Sequence, residues 1–304
     1  MIGRTLLMAA LLAAAAFPVL AQTTVPVRAQ TKTKVVATFS ILGDLVHQVG
    51  GEDIELTVLV GPDADTHTYQ PRPVDARVVA AARALVSNGL GFEGWADRLV
   101  QAAPLKGLHI VASAGVTPLP AAAHAHEQAV DPHCWQDVAD ARRYVGTIAG
   151  GLASVDPANA AAYRDRAQRY DKRLADLDAW IRAEIATVPP EQRKAITGHD
   201  SFRYFARAYG VQFEAPRGYN TDSDPSARDV AALIRLVREQ HIKALFVENM
   251  TNPNLVEEIA RDSGAVVGPK LYSDALSKPG GPADSYEAMM RHNVTALVAG
   301  MRKN

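Results

Sequence analysis

Residues 158–187 form a stretch with neither glycine nor proline, bracketed by Asp156-Pro157 before it and Pro189-Pro190 after it. Asp156 suits an N-cap and Pro157 a first helical turn, whereas a proline pair cannot continue a helix. A helix over 158–187 would run about 45 Å at 1.5 Å per residue. Tyr163, Ala167, Tyr170, Leu174, Leu177 and Ile181 step by three or four, so one apolar stripe faces inward while Arg, Asp and Lys face water. A helix this long needs partners along its whole length, so the chain on both sides must supply packed structure.

Both sides read as βα successions. Runs at 34–39, 54–60, 84–88 and 108–112 are rich in β-branched residues and alternate with helical patterns at 41–49, 74–83 and 93–102. After residue 190 the pattern recurs, with strands at 195–197, 211–214, 244–247 and 265–267 and helices at 202–209, 227–240 and 254–262. Alternating strands and helices make parallel sheets. The expected fold is therefore α/β, with two similar lobes joined by one long rigid helix. The expected organisation is a signal peptide at 1–21, a flexible leader at 22–33, an N-terminal lobe at 34–155, an interlobe helix at 156–188 and a C-terminal lobe at 189–304.

The first segment reads as an export signal. Arg4 precedes an apolar run at 6–17, and small residues up to Ala21 suit signal-peptidase cleavage. No later stretch reaches the roughly 20 apolar residues of a membrane span. The only cysteine, Cys134, excludes an internal disulfide, and no cysteine follows the cut to carry a lipid. A periplasmic, unanchored monomer is expected. Lys and Arg number 32 against 33 Asp and Glu, a net charge of -1, which gives no basic field for nucleic acid.

Chemistry-bearing residues concentrate in short polar turns after the strands. Sixty-six residues separate His67 from His133, and 66 more separate His133 from His199. His67 lies in Asp65-Thr66-His67-Thr68-Tyr69, His133 in Asp131-Pro132-His133-Cys134-Trp135, His199 in Thr197-Gly198-His199-Asp200, and Asp274 in Tyr272-Ser273-Asp274-Ala275. Loops at the carboxyl ends of parallel strands converge on one crevice, so two ligands are expected from each lobe. Three imidazoles and a carboxylate close a shell around one divalent transition metal. Their hardness favours Zn(II), since Mn(II) usually asks for more oxygen. Cobalt, nickel and copper also satisfy three imidazoles.

Other residues receive plainer readings. His47, His109, His241 and His292 fall in or beside helical and strand patterns and stay outside the site. Cys134 reads as a small buried apolar residue rather than a thiolate ligand. His124 and His126, with Glu127, offer a partial shell for a second, weaker ion. Each ligating ring needs an acceptor for its other N–H, and Asp65, Asp137, Asp200 and Glu248 are the candidates. A zinc-dependent hydrolase is the rival class. It is disfavoured because Asp274 would fill the open position that activates water, and no His-Glu-x-x-His helix is present.

These motifs carry a family resemblance across nearly the whole chain after residue 33. His67-Thr68-Tyr69-Gln70-Pro71, Asn88-Gly89-Leu90-Gly91-Phe92-Glu93-Gly94-Trp95 and Asp131-Pro132-His133 come first. His199-Asp200-Ser201-Phe202, Pro225-Ser226-Ala227-Arg228-Asp229, Phe246-Val247-Glu248-Asn249 and Tyr272-Ser273-Asp274 follow in order. The chain resembles the periplasmic zinc and manganese solute-binding proteins of ABC importers, on the zinc-receptor branch. The resemblance implies a two-lobed receptor, not an enzyme. It would bind one Zn(II) at His67, His133, His199 and Asp274 and deliver it to an inner-membrane permease with its ATPase. A periplasmic metallochaperone is a candidate partner for loading. Manganese receptors of the same fold, the alternative, tend to carry a carboxylate where His199 stands. Zinc-branch members often have a longer His-rich loop before Asp-Pro-His than the His124-Ala125-His126-Glu127 found here.

Overall fold

Strand β1 (Thr33–Phe39) lies at the interior of a four-stranded parallel sheet, with β2 (Ile54–Val60) on one side and β3 (Ala84–Ser87) then β4 (Leu108–Val111) on the other. This computed structural model describes residues 31–121 and 129–304. The expected signal peptide, nearly all of the expected leader, and His124, His126 and Glu127 lie outside the described residues. Val35 pairs with Leu56 and with Ala84, and Val35–Phe39 are all buried. A central parallel strand is covered on both faces, which is why it reads as a continuous apolar run rather than an alternation. Helices α1 (Ser40–Gly50), α2 (Pro73–Ala81) and α3 (Ala96–Ala102) lie along the crossovers. A short antiparallel pair, β5 (Leu119–Pro120) and β6 (Val130–Asp131), follows.

The second sheet repeats the first. Strands β7 (Lys194–Ile196), β8 (Gln212–Glu214), β9 (Ala244–Leu245) and β10 (Val266–Val267) are parallel, with β7 flanked by β8 on one side and by β9 then β10 on the other. Between the sheets in sequence come α4 (Val138–Val155) and α5 (Ala160–Ala186). Helices α6 (Arg203–Tyr209), α7 (Ala227–Glu239), α8 (Asn254–Ser263) and α9 (Tyr286–Met301) complete the fold. No helix among the described residues is long and apolar enough to cross a membrane.

Helix α5 begins later than its sequence suggests, because Pro157–Asn159 form a separate 3-10 turn ahead of it. Its apolar stripe is as expected: Tyr163, Ala167, Tyr170, Leu174, Leu177 and Ile181 are all buried. The stripe packs on α4, α1 and α9, so one continuous core extends from β1 to the last helix. A smaller core lies under α7 and α8.

Two helices, α4 and α9, have no counterpart in the sequence reading. Helix α4 contains Gly146, Gly150 and Gly151, which look like breakers. Gly151 is there for space, since a Cβ at that position would come 2.3 Å from Ile110 Cδ1. The helix is closed at its start by Asp137, whose carboxylate accepts from the Ala139 N–H at 2.9 Å.

Candidate metal centre

Each site loop is shaped by a carboxylate near its own histidine. The Asp65 carboxylate accepts from the His67 N–H at 2.9 Å, and Asp131, at the same two-residue spacing, accepts from the His133 N–H at 2.9 Å. Such Asx turns bend the chain locally without a partner strand. His199 follows β7 and forms a parallel bridge with Arg217, and Glu248 Oε2 accepts from its N–H at 3.2 Å. Gly198 leaves room for that carboxylate, because a Cβ there would stand 2.7 Å from Glu248 Oε2.

Hydrogen bonds between loops then bring the turns together. Trp95 Nε1 donates to the Thr66 carbonyl at 2.9 Å, fixing the segment before His67. Trp135 Nε1 and Gln136 Nε2, one and two residues after the end of the His133 turn's Cys134, both donate to the Ser273 carbonyl at 2.8 Å. The Asp63 N–H donates to the Leu276 carbonyl at 3.0 Å, and the Leu276 N–H donates to Ser40 Oγ at 2.9 Å. The loop-exit rule thus holds for His199, just after β7, and more loosely for His67 and Asp274, which stand equally far beyond β2 and β10 and are drawn in by these cross-loop bonds; His133 instead follows the antiparallel pair.

The four side chains converge: one donor atom from each of His67, His133, His199 and Asp274 lies within 4.8 Å of the others. The Nε2 atoms of His67, His133 and His199 stand 3.3, 3.5 and 3.1 Å from the Asp274 carboxylate oxygens. The rings form a triangle with centroid separations of 5.6, 5.9 and 5.4 Å. All three Nε2 atoms and both Asp274 oxygens are buried without a hydrogen-bond partner. Leaving that many polar atoms unsatisfied in the interior is costly, and a divalent cation would satisfy them together.

Two of the rings are held from behind. His133 Nδ1 sits 2.7 Å from Asp131 Oδ1, and His199 Nδ1 sits 3.0 Å from Glu248 Oε1, which also accepts from Ser201 Oγ at 3.1 Å. A carboxylate at Nδ1 turns Nε2 toward the centre as a donor. Burial opposes charge on His133, but Asp274 and Asp131 outweigh it and push the imidazole up to about 9. Burial likewise opposes charge on His199, and Glu248 and Asp274 raise it well above the ordinary range. Asp274 is held well below the usual carboxylate range despite its burial, because His199 and His133 face it. Protons and a metal ion therefore compete for the same nitrogen atoms.

Of the anticipated ring acceptors, Glu248 alone stands against a ligand ring. Asp65 bonds backbone, Asp137 caps α4 and pairs with Arg207 at 2.9 Å, and Asp200 lies 3.9 Å from Arg203. Asp131 was missed, although its spacing matches that of Asp65 and was signal enough. Cys134 is buried, with burial pushing its thiol up to about 11, and it stands outside the cluster. His109 pairs with Ser87 Oγ at 2.8 Å and His292 with the Lys270 carbonyl at 2.8 Å, both away from the centre. Phe92 and Trp135 wall the cage, with Phe92 4.8 Å from the His67 ring and Trp135 5.3 Å from that of His133.

Two parallel sheets of one topology and a preformed, buried cage of three imidazoles and a carboxylate define a receptor for a metal cation. Residues 35–300 match the family described as the periplasmic zinc-uptake complex component A, ZnuA, and the chain belongs to that family. It is 32% identical to the manganese-binding lipoprotein MntA of Halalkalibacterium halodurans over 88% of each chain. It is 30% identical to the iron-binding protein YfeA of Yersinia pestis, over 88% of this chain and 86% of that one. Among solved structures it superposes on the periplasmic zinc binding protein TroA from Treponema pallidum with a TM-score of 0.83. That match has 29% identity and covers 89% of this chain and 99% of the other. The protein is thus a metal-binding receptor of an ABC importer, a role that implies a permease and ATPase as partners, and it is not an enzyme.

Proposed function

We propose that the protein captures one Zn(II) per chain in the periplasm, at His67, His133, His199 and Asp274, and hands it to an inner-membrane permease. The observation that carries this reading is the convergence of five unpartnered buried donor atoms, three of them imidazole nitrogen. A nitrogen-rich set of this kind suits zinc better than manganese. In this reading Asp131 and Glu248 fix the tautomers of His133 and His199, and the aromatic walls keep water from the cage. Residues 1–21 act as the export signal, the mature protein works as a monomer, and the lobes at 34–155 and 189–304 pivot little about the helix at 156–188. Release then comes from movement of site loops, because the buried stripe of α5 packs on helices from both ends of the chain. Loading by a periplasmic metallochaperone fits the same reading.

A manganese receptor is the second reading. Both Asp274 oxygens are free of other partners and would give a fifth donor, and MntA is named for manganese. Competition titration of the metal-free protein with Zn²⁺ and Mn²⁺ decides between them. One zinc per chain, bound much more tightly than manganese and weakened in His67→Ala and His199→Ala, is the expected result. Tighter manganese binding would overturn the choice of ion and leave the cage.

A further inference from the structure

The three histidines are not equally held. His133 and His199 are fully buried, and each has a carboxylate against Nδ1. The His67 side chain is 4% exposed, so it too is nearly buried, but among the described residues the one carboxylate paired with its ring is that of Asp274 itself, at Nε2. What fixes His67 is its backbone. Asp65 Oδ1 accepts from the His67 N–H at 2.9 Å, and the other oxygen of the same carboxylate, Oδ2, accepts from Thr221 Oγ1 at 2.6 Å. Thr221 belongs to a segment 156 residues away in sequence. That segment is in turn fastened beside His199: Arg217 bridges His199, and the Asp200 N–H donates to the Gly218 carbonyl at 3.1 Å. The path from His67 to His199 therefore runs through one carboxylate and one hydroxyl.

We infer that His67 is the ligand through which the metal is exchanged, and that the Thr221–Asp65 hydrogen bond sets how fast it lets go. The inference rests on the cage proposed above. Because Asp131 bonds both the ring and the N–H of His133, and Glu248 stands against the ring of His199 and accepts from its N–H, the step that leaves those carboxylates in place is withdrawal of the His67 turn. Breaking the Thr221–Asp65 bond removes the link between Asp65 and the second half of the chain and loosens the His67 turn, while Asp63 upstream stays bonded to Leu276 and the other ligands stay in place. Asp65 and Thr221 are thus positioning residues, acting on the metal through His67.

The test is a chelator chase on the zinc-loaded full chain, comparing wild type with Thr221→Val, which removes the hydroxyl at nearly constant size, and Thr221→Ser, which keeps it. A hydrogen bond to a carboxylate is among the stronger kinds, and changes at one contact appear mostly in dissociation. Thr221→Val should lose zinc about tenfold faster, with an unchanged association rate and an unchanged absorption spectrum of the Co(II)-loaded protein. Thr221→Ser should match wild type. A wild-type rate for Thr221→Val, or equal acceleration by Ser and Val, would overturn the inference. The cage reading has its own control. If zinc binding is stoichiometric and lost in His67→Ala while Thr221→Val is silent, only the inference fails. If His67→Ala binds zinc as wild type does, both fail.

Discussion

Zinc affinity should keep climbing with pH well past neutrality. In the metal-free protein His133 is pushed up to about 9 and His199 also stands well above the ordinary imidazole value, so both rings carry an extra proton near pH 7.5. A metal ion needs Nε2 of each ring deprotonated, so binding should release about two protons at that pH. Each released proton steepens the curve tenfold per pH unit, which makes the association constant rise about a hundredfold per unit between pH 6.5 and 8.5. Ordinary histidines, near 6.5, would let the curve flatten above about pH 7. The stability of the metal-free fold runs the other way. A folded-state value raised from 6.5 to about 9 stabilises below pH 6.5 and is lost as pH rises through 9, on the order of 3 kcal/mol for His133. Chelator competition across this range gives the slope, and calorimetry in buffers of different ionisation enthalpy counts the protons. A dissociation constant that is flat above pH 7, with no proton release at pH 7.5, would refute the reasoning.

Three further outcomes follow from the geometry. Glu248→Gln and Asp131→Asn should each weaken zinc binding roughly 10- to 100-fold in competition titrations, since each removes the charge behind a ligating ring. Gly198→Ala should weaken it about tenfold, because its methyl would stand 2.7 Å from Glu248 Oε2 and push that carboxylate off His199; wild-type affinity would contradict this placement. Leu174→Ala, in the fully buried stripe of α5, should cost about 2–5 kcal/mol in denaturant unfolding and leave the zinc stoichiometry of the folded protein at one.

Much of the fold was legible because its elements obey local rules. Strand β2 ends where the sequence pattern ends, and every apolar residue named in the α5 stripe is buried. What escaped depended on distant neighbours. Gly151 looks like a helix breaker until Ile110 is seen to need its space. Asn293 looks like a surface residue of no periodicity, yet it is buried in α9 because its side chain accepts from the Tyr272 N–H at 2.9 Å and donates to the Tyr272 carbonyl at 2.6 Å. The four clustered residues were legible from their turns, since polar residues after β-branched runs stand out. Their arrival by cross-loop bonds such as Trp135 to Ser273 was not, because no local pattern encodes a contact across more than a hundred residues. The identity of the ion is not written in the turns either, since the same nitrogen donors accept several divalent metals.

The raised imidazoles around Asp274 also fix how the interior stays electrically balanced. When the cage is empty, His133 and His199 each hold an additional positive charge; when a divalent cation enters, those two charges depart as two protons. The buried region carries the same net charge before and after, so entry of the ion adds no charge to the interior. A monovalent or trivalent ion would break that parity, which gives the cage a preference for doubly charged cargo before any question of size or geometry arises. It also leaves the loaded and empty receptors nearly alike in their outward electric field, so a permease that tells them apart must do so by the shape of the loops.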